Sequence, residues 1–188
     1  MPSVGTVLTT LSGARRLTAA NGLGGADVRG LKAGDVTRLT APGKPDLEIS
    51  ATPARHGPPL TRPIVGDVVG FAVRETGGSQ VLVWVTGDTV LYSGLREAAT
   101  DMAVDVLVTH VGGVQFPITG PLRYTMTGQH AVELVELAAP RVAVPVHYEG
   151  WSHFKDGRGG IERALAQAPE ATRGRVRWLE LGSPTDLS

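Results

Sequence analysis

The chain has 188 residues, 18 basic and 18 acidic side chains and no cysteine. That length suits one domain with a sizeable core, and the balanced charge offers no electrostatic footprint for nucleic acid or an anionic membrane. The absence of thiols removes disulfides, thiolate metal sites and cysteine nucleophiles, and it fits a reducing cytoplasm. No apolar run approaches the roughly 20 residues that span a bilayer, and the first residues lack the basic leader and apolar stretch of a signal peptide.

In chain order, residues 4–10 read as a short strand, and Ser12 as the N-cap of a helix through residues 14–17. Residues 21–25 form a glycine-rich turn without the preceding strand or the Lys-Ser/Thr of a phosphate loop, so a plain connection is expected there. From Val36 strand signals multiply. Residues 46–52 alternate Leu47, Ile49 and Ala51 with polar neighbours, the period of a half-buried strand. Residues 67–74 and 80–85 predict a hairpin around Thr76-Gly-Gly-Ser79.

Residues 95–102 read as helix and 104–109 as a buried strand. Thr127 is placed to cap a helix whose apolar positions are Ala131, Leu134, Val135 and Ala138. Strand is expected again over 142–146, helix over 161–168 and a last strand over 175–181, with a frayed tail at 183–188. Strands first, then alternating strand and helix, predict an α/β layered sandwich in one domain over residues 1–188.

Three motifs carry the chemistry. Thr52-Pro-Ala-Arg-His56-Gly, Thr86-Gly-Asp88-Thr89 and Pro145-Val-His147-Tyr-Glu-Gly-Trp151 each put one metal-ligand residue directly after a strand-like run. Imidazole nitrogen and carboxylate oxygen suit a divalent ion such as zinc. Asp88 follows the apolar run 81–85, and Gly87 lets the chain turn sharply; an Asp there also serves to cap a following turn. His147 ends the run 142–146, where a histidine bonded to backbone is the competing reading. His56 precedes Gly57-Pro58-Pro59, and a solvated loop histidine is its alternative.

His110 ends the strand 104–109 and can line the same edge as a substrate or ligand-supporting group. His153 can bind substrate or pack beside Trp151 and Phe154. His130, in the first turn of a helix, reads as a surface residue. Tyr124, Glu149 and Arg123 are candidate substrate contacts. No Gly-x-Ser-x-Gly elbow supports serine hydrolase chemistry.

Together with Gly66-Asp-Val-Val-Gly-Phe71 and Gly120-Pro-Leu-Arg-Tyr-Thr-Met-Thr127, these motifs resemble the metallo-β-lactamase fold superfamily, in the branch similar to ascorbate-6-phosphate lactonase. The resemblance implies an αββα four-layer sandwich with one or two metals at one edge. It assigns His56 to the first metal, Asp88 as the catalytic and bridging ligand and His147 to the second; His110, His153 and Tyr124 remain the substrate or ligand-supporting candidates of the residue reading. Zinc is the expected ion, and manganese or iron suit the same donors. The metal would lower the pKa of a bound water for attack on an ester, lactone or phosphodiester of a small molecule.

The family carries a His-x-His-x-Asp-His motif upstream of these segments, whereas residues 1–55 contain no histidine. The resemblance therefore implies an N-terminally incomplete domain with weak or no activity and an uncovered apolar face open to self-association. A catalytically inactive remnant acting as a binding or assembly module is the alternative.

Overall fold

The computed structural model describes residues 5–20 and 24–187. Residues 21–23 of the glycine-rich turn lie outside them. Strand β1 (Thr6–Thr10), helix α1 (Leu11–Ala19) and strand β2 (Asp27–Leu31) form a β-α-β unit whose strands pair in parallel, Thr6 opposite Asp27. The cap of α1 is Thr10 rather than the expected Ser12: its side chain accepts from the Gly13 amide at 3.1 Å. Strand β2 carries few apolar signals because it works through smallness. A Cβ at Gly30 would lie 2.9 Å from that of Ala14 and 3.0 Å from the Leu11 Cα, so only glycine lets α1 lie this close.

The main sheet has six strands in sequence order, β3 (Val36–Leu39), β4 (Leu47–Thr52), β5 (Gly70–Glu75), β6 (Val81–Val85), β7 (Val104–His110) and β8 (Val142–Val146). The first four pair antiparallel, and β5–β6 is the predicted hairpin, with Phe71 opposite Val85. The last two pairings are parallel. A parallel partner needs a crossover. Helix α3 (Ser93–Asp101) supplies it between β6 and β7, and α4 (Gly128–Ala138) between β7 and β8. Thr127 caps α4 as expected, accepting from the His130 amide. A short helix α2 (Arg62–Val65) interrupts the β4–β5 connection, and α5 (Gly157–Gln167) and α6 (Glu170–Arg173) follow β8.

The core lies between this sheet and its helices. Trp84, Leu95, Leu107 and Leu134 are fully buried within it, joined by Val81, Ala143 and Ile161. Trp84 satisfies its indole N–H on Thr52 Oγ1 at 3.0 Å, the arrangement a buried tryptophan needs. The other sheet face carries Val106, Val142 and Val144, packed with Val83, Val108 and Val146. Its expected exposure is reduced at β7 and β8 because Leu179 and Leu187 of the C-terminal segment lie on it. Arg141 reinforces that docking by donating to the Leu187 carbonyl.

The last expected strand does not form a ladder. Val176 makes a single bridge with Ala143, through bonds from the Ala143 amide to Arg175 and from the Arg177 amide back to Ala143, each 2.8 Å. Beyond it, Trp178 meets Tyr148 edge-on and lies beneath the Arg158 guanidinium. Two sheets with associated helices make this an α/β fold. No helix among the described residues is long and apolar enough to cross a membrane.

Candidate functional site

Strand direction builds the site. Strands β6, β7 and β8 are parallel, and β4, two antiparallel steps from β6, runs the same way. All four therefore release their chains at one edge of the sheet, the edge where ligands bind in open α/β sheets. His56 follows β4, Asp88 follows β6, His110 ends β7 and His147 follows β8.

Two buried threonines hold this edge together. Thr89 Oγ1 accepts from the Arg55 amide at 2.9 Å, and the Val90 amide donates to the Arg55 carbonyl at 2.9 Å, so the backbone beside His56 is clamped to the backbone beside Asp88. Thr86 Oγ1 accepts from the His110 amide at 3.1 Å, tying the same turn to the end of β7. Gly87 makes the turn itself, with φ of 67°. A Cβ there would lie 2.7 Å from the Val69 carbonyl oxygen.

Asp88 and His147 meet. Asp88 Oδ1 lies 3.5 Å from His147 Nδ1, and each side chain is about one-third exposed, 33% and 31%. The His147 Nδ1 atom is buried and makes no hydrogen bond. Its backbone is left-handed, φ 61°, a conformation non-glycine residues avoid unless the surroundings impose it. The His110 ring stands 5.8 Å from that of His147, and its Nδ1 is also buried and unbonded. Burial holds the His56 and His110 imidazoles below the usual histidine range; the Asp88 charge opposes this and His147 adds to it. Both rings are thereby kept in the neutral form that can donate a lone pair to a metal.

The remaining candidates occupy a wall of aromatic rings. Tyr124 is buried, edge-on to His56 at 6.0 Å and to Phe116 at 5.3 Å. The His153 ring lies against Phe116 at 5.3 Å, Phe154 at 4.9 Å and Trp151 at 5.7 Å. Phe154 in turn meets the His147 ring edge-on at 4.7 Å. Arg123 donates to the Gly113 carbonyl, and Glu149 is exposed. His130 is half-buried rather than a surface residue, because the first turn of α4 faces Asp156, which accepts from the Gly128 amide at 2.8 Å.

Phe116 and Thr86 escaped the sequence reading. Phe116 follows the Gly112-Gly113 pair beyond His110 and Thr86 opens the Asp88 motif, so position beside a candidate ligand was the available signal for both.

The site holds the donor types of a divalent-metal centre. Among the described residues, however, no three His, Asp or Glu side chains are gathered closely enough to hold an ion. What is assembled is the Asp88–His147 pair, with His56 and His110 within electrostatic range of it. The donor chemistry fits a metal and the donor number falls short.

Residues 2–148 match the beta-lactamase superfamily domain model, and the chain belongs to that family. The relatives it resembles are UPF0173 metal-dependent hydrolases. That of Carboxydothermus hydrogenoformans is 31% identical over 106 residues, covering 55% of this chain and 42% of the relative. That of Deinococcus radiodurans is 31% identical over 140 residues, covering 74% of this chain and 54% of the relative. The chain thus spans about half the length of the curated relatives it matches. The fold is shared with a crystal structure described as a possible metal-dependent hydrolase of Veillonella parvula, with TM-score 0.75, 18% identity and coverage of 97% of this chain and 67% of that one.

Proposed function

We propose that this chain carries the Asp88 and His147 part of a metal-dependent hydrolase centre, acting on a carboxylic ester or lactone of a small molecule. The observation that carries the reading is the carboxylate–imidazole pair, 3.5 Å apart at the shared edge of β6 and β8, with the imidazole Nδ1 buried and unbonded. A buried polar atom without a partner costs stability unless something fills that role. In this reading Asp88, His147 and His56 are metal ligands, zinc being the expected ion. A metal bound there would supply Lewis acidity and a water of lowered pKa. Asp88 offers the negative charge that holds a cation. The Thr86 and Thr89 bonds keep its turn in register with His110 and His56. In the net reaction water adds to the carbonyl carbon, the bond to the leaving oxygen breaks, and that oxygen takes the proton.

The relatives' name, metal-dependent hydrolase, supports this class. The likeness to an ascorbate-6-phosphate lactonase, a cytoplasmic location and the absence of nucleic-acid partners belong to the same proposal. A second reading, an inactive remnant serving as a binding or assembly module, is favoured by one observation: no three-donor group is gathered among the described residues.

Plasma mass spectrometry of the chain and of Asp88→Ala, after dialysis against chelator-free buffer, separates the two. Near-stoichiometric zinc in the chain that is lost in the variant supports the metal centre. No metal in either protein supports the remnant and overturns the first reading for this chain.

A further inference from the structure

The aromatic contacts beside the site form a continuous run of rings. From His56 it passes to Tyr124, Phe116, His153 and Phe154 and returns to His147, every step between 4.7 and 6.0 Å. It begins and ends on two candidate ligands, so it frames one side of the Asp88–His147 pair. Trp151 lies on its outer side, stacked on His153 with an interplanar angle of 26° and 70% exposed. Phe116 is 37% exposed and Ile118, on the same loop, 94%. Large apolar side chains left in water around a polar centre mark a place where something apolar docks.

The wall is rigidly hung. It is built from the loops that follow β7 and β8, which are laced to each other. The Gln115 amide donates to the His153 carbonyl at 3.0 Å, the Asp156 amide to the Gly112 carbonyl at 3.1 Å, and Val114 bridges Phe154. Its charges are committed elsewhere. Arg123 donates to the Gly113 carbonyl and Lys155 to the Ser152 carbonyl, while Arg55, next to His56, lies over the Tyr92 ring at 4.5 Å. A phosphate or carboxylate recognition site would direct such cations at the ligand; here Arg123 and Lys155 are turned onto backbone, and Arg55 lies on the Tyr92 ring with its Nε unbonded.

We propose that Phe116, Trp151 and His153 form a subsite for the flat, uncharged, apolar body of the substrate, whose reacting carbonyl lies at Asp88 and His147. This names the substrate class as esters or lactones bearing an aromatic group, and confines the lactonase likeness of the proposed function to the reaction rather than to a phosphorylated sugar. It rests on the reading of Asp88 and His147 as the reacting end. The ring faces supply area and orientation, and the laced loops supply a surface formed before the ligand arrives.

The test is an amide-shift NMR titration of the isotope-labelled chain with 1-tetralone, an aromatic ketone that cannot be hydrolysed, and with phenyl phosphate as the charged comparator. Tetralone is expected to shift the amides of residues 115–116 and 151–154. Its affinity should fall about fivefold in Trp151→Ala and in Phe116→Ala, the scale of a lost ring contact. Trp151 is exposed enough that its removal leaves the fold intact. Phenyl phosphate should bind more weakly than tetralone. Shifts elsewhere, no shift, unchanged affinity in both variants or tighter binding of phenyl phosphate would overturn the proposal. So would a dimer in light scattering that disappears in Trp151→Ala, since a second copy would then occupy the wall. Metal lost in Asp88→Ala, together with tetralone binding by the parent chain at the wall, upholds both readings. No metal in either protein removes the proposed centre, while the titration still decides the wall.

Discussion

The buried hydroxyl of Thr89 accepts the backbone N–H of Arg55 at 2.9 Å across 34 positions of sequence. With the Val90 amide on the Arg55 carbonyl, it holds the His56 loop against the Asp88 turn. Thr89→Val keeps the volume and leaves that amide without a partner, at a cost of about 1–3 kcal/mol. Urea denaturation should show that loss, with zinc content falling alongside it. Thr89→Ser, which retains the hydroxyl, should restore most of both.

His147 stands in left-handed backbone at φ 61°. Asparagine tolerates that region better than other non-glycine residues, and an ordinary side chain is penalised there by about 1–2 kcal/mol. His147→Asn should therefore be more stable than His147→Ala by roughly 1 kcal/mol, and both should lose bound metal. Equal melting temperatures for the two variants would show that the neighbouring loop, and not residue 147, stores the strain.

Gly87→Ala meets two obstacles at once, a φ of 67° and a Cβ 2.7 Å from the Val69 oxygen. It should be destabilised by more than about 1 kcal/mol, the scale of a mismatched glycine replacement. If the variant unfolds at the parent's denaturant midpoint, the turn is not held as described.

Acid should weaken the metal-free fold earlier than carboxylate titration alone would. Burial lowers the proton affinity of His56, His110 and His130; near His130, Glu133 and Asp156 oppose the effect and Arg96 adds to it. The unfolded chain therefore binds more protons than the folded one once the pH drops below the ordinary histidine value of about 6.5. The stability these neutral rings contribute is fully present above that value and is lost progressively below it, down to the lower folded-state values. Chelator-treated protein should show a falling midpoint between about pH 7.5 and 5.5, with a shallower slope in His130→Gln. A flat profile for the parent would contradict the burial of these rings.

The sequence disclosed the common edge of the candidate residues better than it disclosed the margins of the fold. His56, Asp88, His110 and His147 each follow a run whose apolar pattern marks it as a strand, and parallel pairing does the rest. Strand β2 was illegible because its fitness lies in the missing side chain of Gly30, which periodicity cannot register. Residues 175–181 carry strand-like composition, but Trp178 finds Tyr148 and Arg158, and a ladder needs a partner as well as a pattern. The run of rings was also hidden. Phe116 and His153 lie 37 positions apart, and only the lacing of two loops brings them to 5.3 Å.

The common direction of β4, β6, β7 and β8 has one more consequence. Because each candidate ligand sits at a strand end while Phe116, Tyr124, Trp151 and His153 sit further out on the connecting segments, the proposed centre and the proposed subsite draw on different stretches of sequence. In that reading, exchanging residues 114–124 and 149–154 together for those of another family member would change the proposed selectivity. Such a chimera would inherit its reactive edge from one parent and its taste in substrates from the other.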